Sequence, residues 1–264
     1  MGSGLFDTVL VRPPNAEIIR CVSSHPLRST VNYEKALEQH REYVKTLEDE
    51  GIEVVELDPL EGFPDSVFIQ DTAVVGLKTR KALISRFGVG SRRGEELSVA
   101  EVLAKKGFKI FFTEEPHTIE GGDVLVTDVG VVYVGVTSRT NLGGVSKLAE
   151  VFNNVTVVSI PTDKVFHLLS AVNYIGDKTL ALVPELVGPR MFEHFKILRV
   201  PLDEAYAANM LYLGDKRVLI PKGYRKTEEI LRNAGYEVIA VDVSEFQKCD
   251  GGVTCLSLPL YKTL

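Results

Sequence analysis

The chain has 264 residues, of which 45% are hydrophobic and 25% charged, so it can bury a sizeable core. Its formal net charge of −6 argues against a nucleic-acid-binding protein, which needs a basic face. No apolar run reaches the roughly 20 residues that a membrane helix requires. No long linker divides the sequence, and we therefore predict a single catalytic domain over residues 1–264.

Helical periodicity is clearest in Tyr33–Glu50, where Leu37, Val44 and Leu47 share a face and Gly51 ends the pattern. Three further stretches have apolar residues at the same spacing of three to four positions. The additional predicted helices are Glu95–Lys106, Gly144–Phe152 and Lys226–Ala234.

Short apolar runs rich in Val, Ile and Phe, with Gly, Pro or Asp at their ends, predict β-strands. In chain order the predicted strands are Thr8–Val11, Val67–Val75, Ala82–Ile84, Lys109–Phe112, Asp123–Val126, Val131–Val136, Thr156–Ile160, Asn173–Ile175, Thr179–Val183, Met210–Leu213, Val218–Ile220, Glu237–Val241 and Val253–Leu258.

The order of these elements repeats about five times, as a helix, a strand and then a pair of strands. A repeat of about 45 residues is typical of a radial array rather than a doubly wound sheet. We therefore predict an α/β fold whose active site lies at the central axis, where the units meet. The units lie near Val54–Ile84, Ile110–Val136, Val157–Val183 and Ile197–Ile220, and the fifth runs from Glu237 through Leu258 and is completed by Thr8–Val11.

A cysteine near the C-terminus, Cys255, follows the sequence Asp250-Gly251-Gly252-Val253-Thr254 at the start of an apolar run. A thiol held by a rigid strand beside a Gly-Gly turn is a candidate nucleophile, although free cysteine more often packs as a small hydrophobe. Three cysteines cannot pair completely. We therefore expect a reducing, cytoplasmic setting rather than a disulfide framework for Cys21 and Cys249.

Polar residues in apolar surroundings are the other candidates: Asp71, Glu120 and His167, with Arg86 and Arg139 just after strands. Each has a structural alternative, such as a satisfied core histidine or a solvated arginine. Together with a thiol they suit a guanidino amino acid, because carboxylates pair with a guanidinium and arginines pair with an α-carboxylate.

The chain resembles the dimethylarginine dimethylaminohydrolase family of the guanidino-modifying, arginine deiminase-like superfamily. The resemblance covers essentially the whole chain, and its motifs occur in the same order. They are Pro64-Asp65-Ser66-Val67-Phe68-Ile69-Gln70-Asp71-Thr72-Ala73-Val74-Val75, Ser91-Arg92-Arg93, Glu120-Gly121-Gly122-Asp123, Ser138-Arg139-Thr140-Asn141, His167-Leu168-Leu169-Ser170, Ala208-Asn209 and Asp250-Gly251-Gly252-Val253-Thr254-Cys255.

This resemblance implies a five-bladed α/β propeller, the pentein fold, and a hydrolase that converts methylated arginine to citrulline and a methylated amine. It implies that Cys255 is the nucleophile and His167 the acid/base, while Asp71 and Glu120 hold the guanidinium. The reaction would pass through a covalent thiouronium adduct on sulfur.

The same resemblance implies that Arg86 and Arg139 bind the α-carboxylate and that Asp65 helps to seat the amino-acid end. Two positions depart from the family pattern. Gln70, which we include among the substrate-binding residues, stands where the family usually has glutamate, and Leu169 where methylarginine enzymes usually have lysine. Arginine deiminases place an aspartate at this second position. Its absence favours a methylated guanidine as the substrate.

Two other functions remain open, an arginine deiminase or dihydrolase acting on free arginine and a catalytically silent guanidino-binding protein. We expect no cofactor and no metal, because Cys249 and Cys255 show no ligand-type spacing with the histidines. The expected partner is a small-molecule substrate, with neither nucleic acid nor membrane, and a homodimer is compatible with the sequence. The segment Ser23–Val31 is the candidate for a lid over the pocket.

Overall fold

The computed structural model describes residues 4–262, and their strands form five three-stranded sheets. The first sheet contains β1 (Phe6–Val11), β2 (Glu53–Glu56) and β15 (Ser257–Tyr261); the second β3 (Ala73–Val75), β4 (Lys81–Ile84) and β5 (Lys109–Phe112); the third β6 (Val124–Val126), β7 (Val131–Val136) and β8 (Thr156–Pro161); the fourth β9 (Val172–Tyr174), β10 (Thr179–Leu182) and β11 (Lys196–Arg199); the fifth β12 (Leu211–Gly214), β13 (Arg217–Pro221) and β14 (Glu237–Val241).

All five sheets share one topology, in which the middle strand pairs antiparallel with one neighbour and parallel with the other. A parallel pair needs a crossover connection, and a helix supplies it in each case. In the fourth sheet this helix is the short 3-10 segment Pro189–Phe192. The α-helices are α1 (Tyr33–Asp49), α2 (Glu95–Lys105), α3 (Leu142–Val151), α4 (Arg225–Asn233) and α5 (Ser244–Gln247).

The predicted radial α/β architecture is confirmed, and the four predicted helices agree with α1 to α4 within one or two residues. The grouping of strands into units differs from the prediction. Each predicted unit places a single strand before a strand pair. In the structure, each sheet instead consists of a strand pair and a third strand that follows the crossover helix. The list of predicted strands omits β2 and β11, although the predicted units near Val54 and Ile197 begin within them. Both outer strands are short, carry charged residues at each end and are only half-buried.

Within the described range, no helix is long and apolar enough to span a membrane.

A short 3-10 turn precedes the inner strand of every sheet, and these five turns bring the predicted site residues together. Neighbouring turns contact one another, and Asn209 hydrogen-bonds Thr254 to connect the last two. The longest apolar prediction, Val67–Val75, therefore contains a turn and only then a strand. The turns are Ile69–Thr72, Gly121–Asp123, Leu168–Ser170, Leu202–Ala208 and Thr254–Leu256.

Helix α1 supports the last of these turns through Tyr43, which is completely buried. Its hydroxyl lies 3.0 Å from the carbonyl oxygen of Val253, to which it donates, and 2.8 Å from the hydroxyl of Ser257. These two residues flank the Thr254–Leu256 turn. The hydrogen bonds therefore anchor the segment that carries Cys255 to the helix.

We predict that Tyr43→Phe lowers the free energy of unfolding by about 1–3 kcal/mol, because it leaves the buried carbonyl of Val253 without this donor. Denaturant-induced unfolding measures the change. The control is Tyr33→Phe, at the half-buried start of the same helix, for which we expect a smaller change. Equal stability of Tyr43→Phe and the unsubstituted protein would contradict the anchoring role.

Candidate active site

Most of the predicted site residues line one small cavity of about 20 Å³ at the meeting point of the turns. A cavity of this size has room for about one water molecule. The predicted residues that line it are Asp65, Asp71, Arg139, His167 and Cys255.

Cys255 lies in the Thr254–Leu256 turn directly before β15, where only 9% of its surface is exposed. Its backbone N–H donates to the carbonyl of Gly252, and the side-chain amide of Asn209 bonds both the backbone and the hydroxyl of Thr254. Burial, reinforced by the nearby charge of Asp71, raises the pKa of the Cys255 thiol to about 12. The unliganded site therefore holds a neutral thiol at physiological pH.

The glycines before Cys255 serve protein packing rather than the approach of a ligand. A Cβ atom on Gly251 would lie 2.1 Å from the ring of Phe68, and one on Gly252 would lie 2.5 Å from the side chain of Asn209. Neither contact is sterically possible. The Gly-Gly pair thus lets the turn press against its neighbours.

His167 connects the two predicted carboxylates. Its Nε2 lies 2.9 Å from a carboxylate oxygen of Glu120, and its Nδ1 lies 3.7 Å from Asp71. Burial alone would lower the pKa of the imidazole, but the carboxylates of Asp71, Asp123 and Glu120 outweigh burial and raise it to about 9. His167 is therefore an imidazolium near neutral pH, able to donate a proton.

Gly121 and Gly122 allow this close approach. A Cβ on Gly122 would lie 2.6 Å from Nδ1 of His167 and 2.7 Å from Oδ1 of Asp71. The Gly122 N–H instead donates to that same carboxylate oxygen at 3.0 Å. In the Glu120-Gly-Gly-Asp motif, the glycines are thus required to bring the imidazole and both carboxylates together.

Asp123, the last residue of that motif, is fully buried and positions the backbone beside the histidine. One carboxylate oxygen accepts the N–H of Leu168, and the other accepts the hydroxyls of Thr137 and Thr140. Its place at the end of the Glu120-Gly121-Gly122-Asp123 motif is the signal in the sequence that points to this positioning role.

Arg92 is a second residue that the sequence analysis did not single out, although it lies in the quoted Ser91-Arg92-Arg93 motif. It lines the cavity and pairs with Asp71 at 2.7 Å and with Glu95 at 2.8 Å, while its guanidinium stacks on Phe87. Burial alone would raise the pKa of Asp71, but the charges of His167 and Arg92 outweigh it and place the pKa below its usual value. Arg92 thus keeps Asp71 ionised.

Arg139 is 6% exposed, and its guanidinium lies over the ring of Phe166, 4.4 Å from the ring centroid. Its Nη1 lies 3.6 Å from Glu120 but has no hydrogen-bond partner within the described residues. A buried guanidinium nitrogen without a partner is costly. It is a free donor at the wall of the cavity and suits a carboxylate group of a ligand.

Arg86 does not line this cavity, and its contact with the substrate stays a prediction. It follows β4, and its backbone forms a β-bridge with Ile119. Its side chain pairs at 3.1 Å with Glu115, whose side chain is 82% exposed. The strand direction after Ile84 therefore carries Arg86 toward the surface.

Gln70 and Leu169, the two departures from the family pattern, lie together at a different cavity of about 50 Å³. The 3-10 turn at Ile69–Thr72 directs consecutive side chains to different sides, so Asp71 faces Cys255 and Gln70 does not. Gln70 does not line the cavity that contains Cys255, and its contact with a substrate stays a prediction. Leu169 is buried in the core, and it does not make the catalytic cavity less polar.

Cys21 and Cys249 form a disulfide, contrary to the expectation of unpaired thiols. The residues are 228 positions apart, and only the fold brings them together. Within the described residues Cys255 is the free cysteine. The disulfide lies beside the site, because Cys249 also lines the catalytic cavity.

Asp71, Glu120 and His167 place their ligand-type atoms within 4.8 Å of one another and could in principle hold a metal ion. Both carboxylates, however, already face a buried arginine, Arg92 for Asp71 and Arg139 for Glu120. The planar guanidinium of a substrate can share such carboxylates through directed hydrogen bonds. The arrangement therefore suits a guanidinium better than a compact metal dication.

The sequence profile of the family described as "N,N dimethylarginine dimethylhydrolase, eukaryotic" matches residues 20–262. The chain belongs to this family. It is 39% identical to N(G),N(G)-dimethylarginine dimethylaminohydrolase of Streptomyces coelicolor, over 95% of this chain and 96% of that protein. It is also 45% identical to an uncharacterized protein of Aeropyrum pernix, over 100% of this chain and 99% of that protein.

Solved structures of the family have the same fold. A Cys-to-Ser variant of the Pseudomonas aeruginosa enzyme complexed with citrulline matches with a TM-score of 0.90 and 33% identity, covering 97% of this chain and 99% of that chain. An adduct of dimethylarginine dimethylaminohydrolase with S-methyl-L-thiocitrulline also gives a TM-score of 0.90, covering 96% and 99%. The N-terminal domain of a cyanobacterial arginine dihydrolase, at 22% identity and a TM-score of 0.88, shares the five-bladed fold.

We predict that Asp71→Asn makes the Cys255 thiol more acidic, because the charge of Asp71 raises the pKa of this thiol. Alkylation by iodoacetamide should become faster by about tenfold at a given pH, and its pH profile should shift to lower pH. The same substitution should lower the pKa of His167 from about 9. Asp128→Asn, a remote carboxylate that contacts Tyr174, is the control. An unchanged pH profile in Asp71→Asn would disprove the electrostatic assignment.

Proposed function

We propose that the protein hydrolyses N-methylated arginine to citrulline and a methylated amine through a covalent adduct on Cys255. The observation that carries the proposal is the cavity shared by Cys255, the His167 imidazolium and the Asp71 carboxylate, with the buried Glu120 carboxylate 2.9 Å from Nε2 of His167. The citrulline complex and the thiocitrulline adduct of the similar enzymes support it.

In the first step the substrate guanidinium lies between the carboxylates, and its positive charge offsets the field that keeps the Cys255 thiol neutral. The thiol gives its proton to solvent, and the lone pair of the resulting thiolate forms a bond to the guanidinium carbon, while the C=N π electrons move onto nitrogen. His167 donates its proton to the departing nitrogen, so the amine leaves with the C–N electron pair. The product on the enzyme is a thiouronium adduct, and His167 is left neutral.

In the second step neutral His167 accepts a proton from water as the oxygen attacks the same carbon. The C–S bond breaks with its electron pair returning to sulfur, and the remaining hydroxyl proton of the adduct passes to that sulfur, which restores the Cys255 thiol and releases citrulline. His167 thus acts first as an acid and then as a base. The covalent adduct on Cys255 replaces one difficult displacement by two easier steps. Its pKa of about 9 suits the first role at neutral pH.

We assign the α-carboxylate of the substrate to Arg139, whose Nη1 is unpartnered, and the amino group to Asp65 at the cavity wall. Arg92 has its donors occupied by Asp71, Glu95 and backbone carbonyls. Its part is therefore to fix Asp71. A guanidino amino acid would be held at both ends by charge-assisted hydrogen bonds.

Hydrolysis of free arginine is the second candidate, because the position of Leu169 in the core removes the argument that this residue selects a methylated guanidine. The methylated substrate rests on the similarity to named methylarginine enzymes. A cytoplasmic location and a homodimer remain predictions from the sequence.

We predict that asymmetric dimethylarginine is processed with a kcat/KM at least about tenfold above that of free arginine, a difference of about 1.4 kcal/mol in the barrier. A citrulline assay with both substrates and monomethylarginine measures it. Cys255→Ser should remove turnover of all three while the protein stays folded. If arginine is the better substrate by the same factor, the deiminase function replaces the one proposed.

We predict that Arg139→Lys raises the KM for amino-acid substrates by about tenfold or more, because lysine keeps the charge but loses the planar fork. Agmatine, which lacks the carboxylate, should be a poor substrate and should respond much less to the substitution. Arg86→Lys is the matched control, since Arg86 lies outside the cavity. Equal turnover of agmatine and arginine derivatives would remove the carboxylate assignment from Arg139.

A further inference from the structure

The Cys21–Cys249 disulfide connects two segments that both form the wall of the catalytic cavity. Cys21 ends the short 3-10 helix Ala16–Arg20, and the next residue, Val22, lines the cavity. Cys249 lines it directly and is followed by Asp250, which lies in the same wall. One covalent bond thus joins the beginning of the lid segment to the loop that leads to the nucleophile.

Hydrogen bonds continue this connection on both sides of the disulfide. The Val22 N–H lies 3.1 and 3.2 Å from the two carboxylate oxygens of Asp65. The Ser23 hydroxyl donates to the carbonyl of Lys248, and the Ser24 N–H donates to the carboxylate of Asp250. The disulfide therefore fixes Val22, and Val22 in turn fixes the carboxylate of Asp65 through these hydrogen bonds.

Val22 is the residue of this part of the chain that lines the cavity. It is 46% exposed, so apart from the neighbouring disulfide and the hydrogen bonds to Asp65 few contacts hold it. The cavity is small, about 20 Å³, so the position of each wall residue bears on whether a substrate fits. Hydrogen bonds near the surface exchange readily with water because each contributes only about 1 kcal/mol net, whereas the S–S bond persists.

We propose that the Cys21–Cys249 disulfide is a positioning element for the substrate, which keeps Val22 and, through its hydrogen bonds, Asp65 in place at the wall of the cavity. The proposal rests on the proposed function, because the substrate meant is an arginine derivative whose amino end meets Asp65. The disulfide lies apart from the reacting carbon and contributes to substrate binding, not to the chemical step.

The test compares the unsubstituted protein with the double variant Cys21→Ala/Cys249→Ala. The chain has three cysteines. Cys255 is therefore the single free thiol both in the unsubstituted protein with its disulfide formed and in the double variant. We expect the KM for dimethylarginine to rise by about tenfold and kcat to stay within about twofold, the signature of lost binding without lost chemistry. Iodoacetamide should alkylate Cys255 several-fold faster in the variant, because the wall opens more often.

Reduction of the unsubstituted protein should reproduce the higher KM. A dithiol supplies two electrons and two protons to the sulfur pair, which becomes two thiols, while the reductant closes to its own cyclic disulfide. Reoxidation should restore the original KM. Mass spectrometry of the active protein should show the loss of two hydrogens relative to the reduced form, and free thiols at Cys21 and Cys249 would overturn the proposal.

Two controls separate the covalent bond from packing and from stability. Cys21→Val/Cys249→Val keeps apolar side chains without the bond, so a KM equal to that of the unsubstituted protein would overturn the proposal. Leu231→Ala removes a buried side chain in α4, far from the cavity, and should destabilise the protein without changing KM. An equal rise in KM in this variant would attribute the effect to general destabilisation.

The alkylation experiment also distinguishes this proposal from the proposed function. If neither protein converts any arginine derivative, the proposed function fails, and the alkylation rates still decide the role of the disulfide. Equal rates in the unsubstituted protein and the alanine double variant would overturn it.

Discussion

Two carboxylates almost without exposure, Asp71 and Glu120, determine the electrostatics of this site. A buried carboxylate is stable only when cations or hydrogen-bond donors compensate its lost hydration. Arg92 and Gly122 compensate Asp71, the backbone N–H of Gly88 compensates Glu120, and His167 lies between the two carboxylates. The protonation states of the histidine and of Cys255 both follow from this arrangement.

The same charges explain why the resting site is unreactive. Negative charge near His167 keeps the imidazole protonated, and burial together with Asp71 keeps the thiol neutral. A cation that enters the site changes this balance, since it offsets the field of the carboxylates where the thiol must ionise. A guanidinium substrate would therefore supply part of the activation of its own nucleophile. Neutral compounds of similar shape would not.

The fold builds the site by repeating one local solution. Each sheet begins with a short turn in front of its inner strand, and four of the five turns or the residues at their start carry Asp71, Glu120, His167 or Cys255. The fifth turn leads to Asn209, which holds Thr254 beside the nucleophile. Chemically different residues thus occupy related positions. Close packing of the turns requires glycine where a Cβ atom would meet a neighbouring turn, as at Gly122.

The sequence by itself determined the radial α/β repeat, because hydrophobic periodicity and strand length are local properties. It also singled out Cys255, His167, Asp71, Glu120, Asp65 and Arg139 as candidates, because their motifs occur in the family order. Only the tertiary structure decided where side chains point. The direction of a turn sends Gln70 and Leu169 to a second cavity, carries Arg86 to Glu115 and brings Arg92 onto Asp71. The disulfide joins residues 228 positions apart, and no local pattern encodes a contact at that distance, because it depends on how distant parts of the chain pack together in the fold.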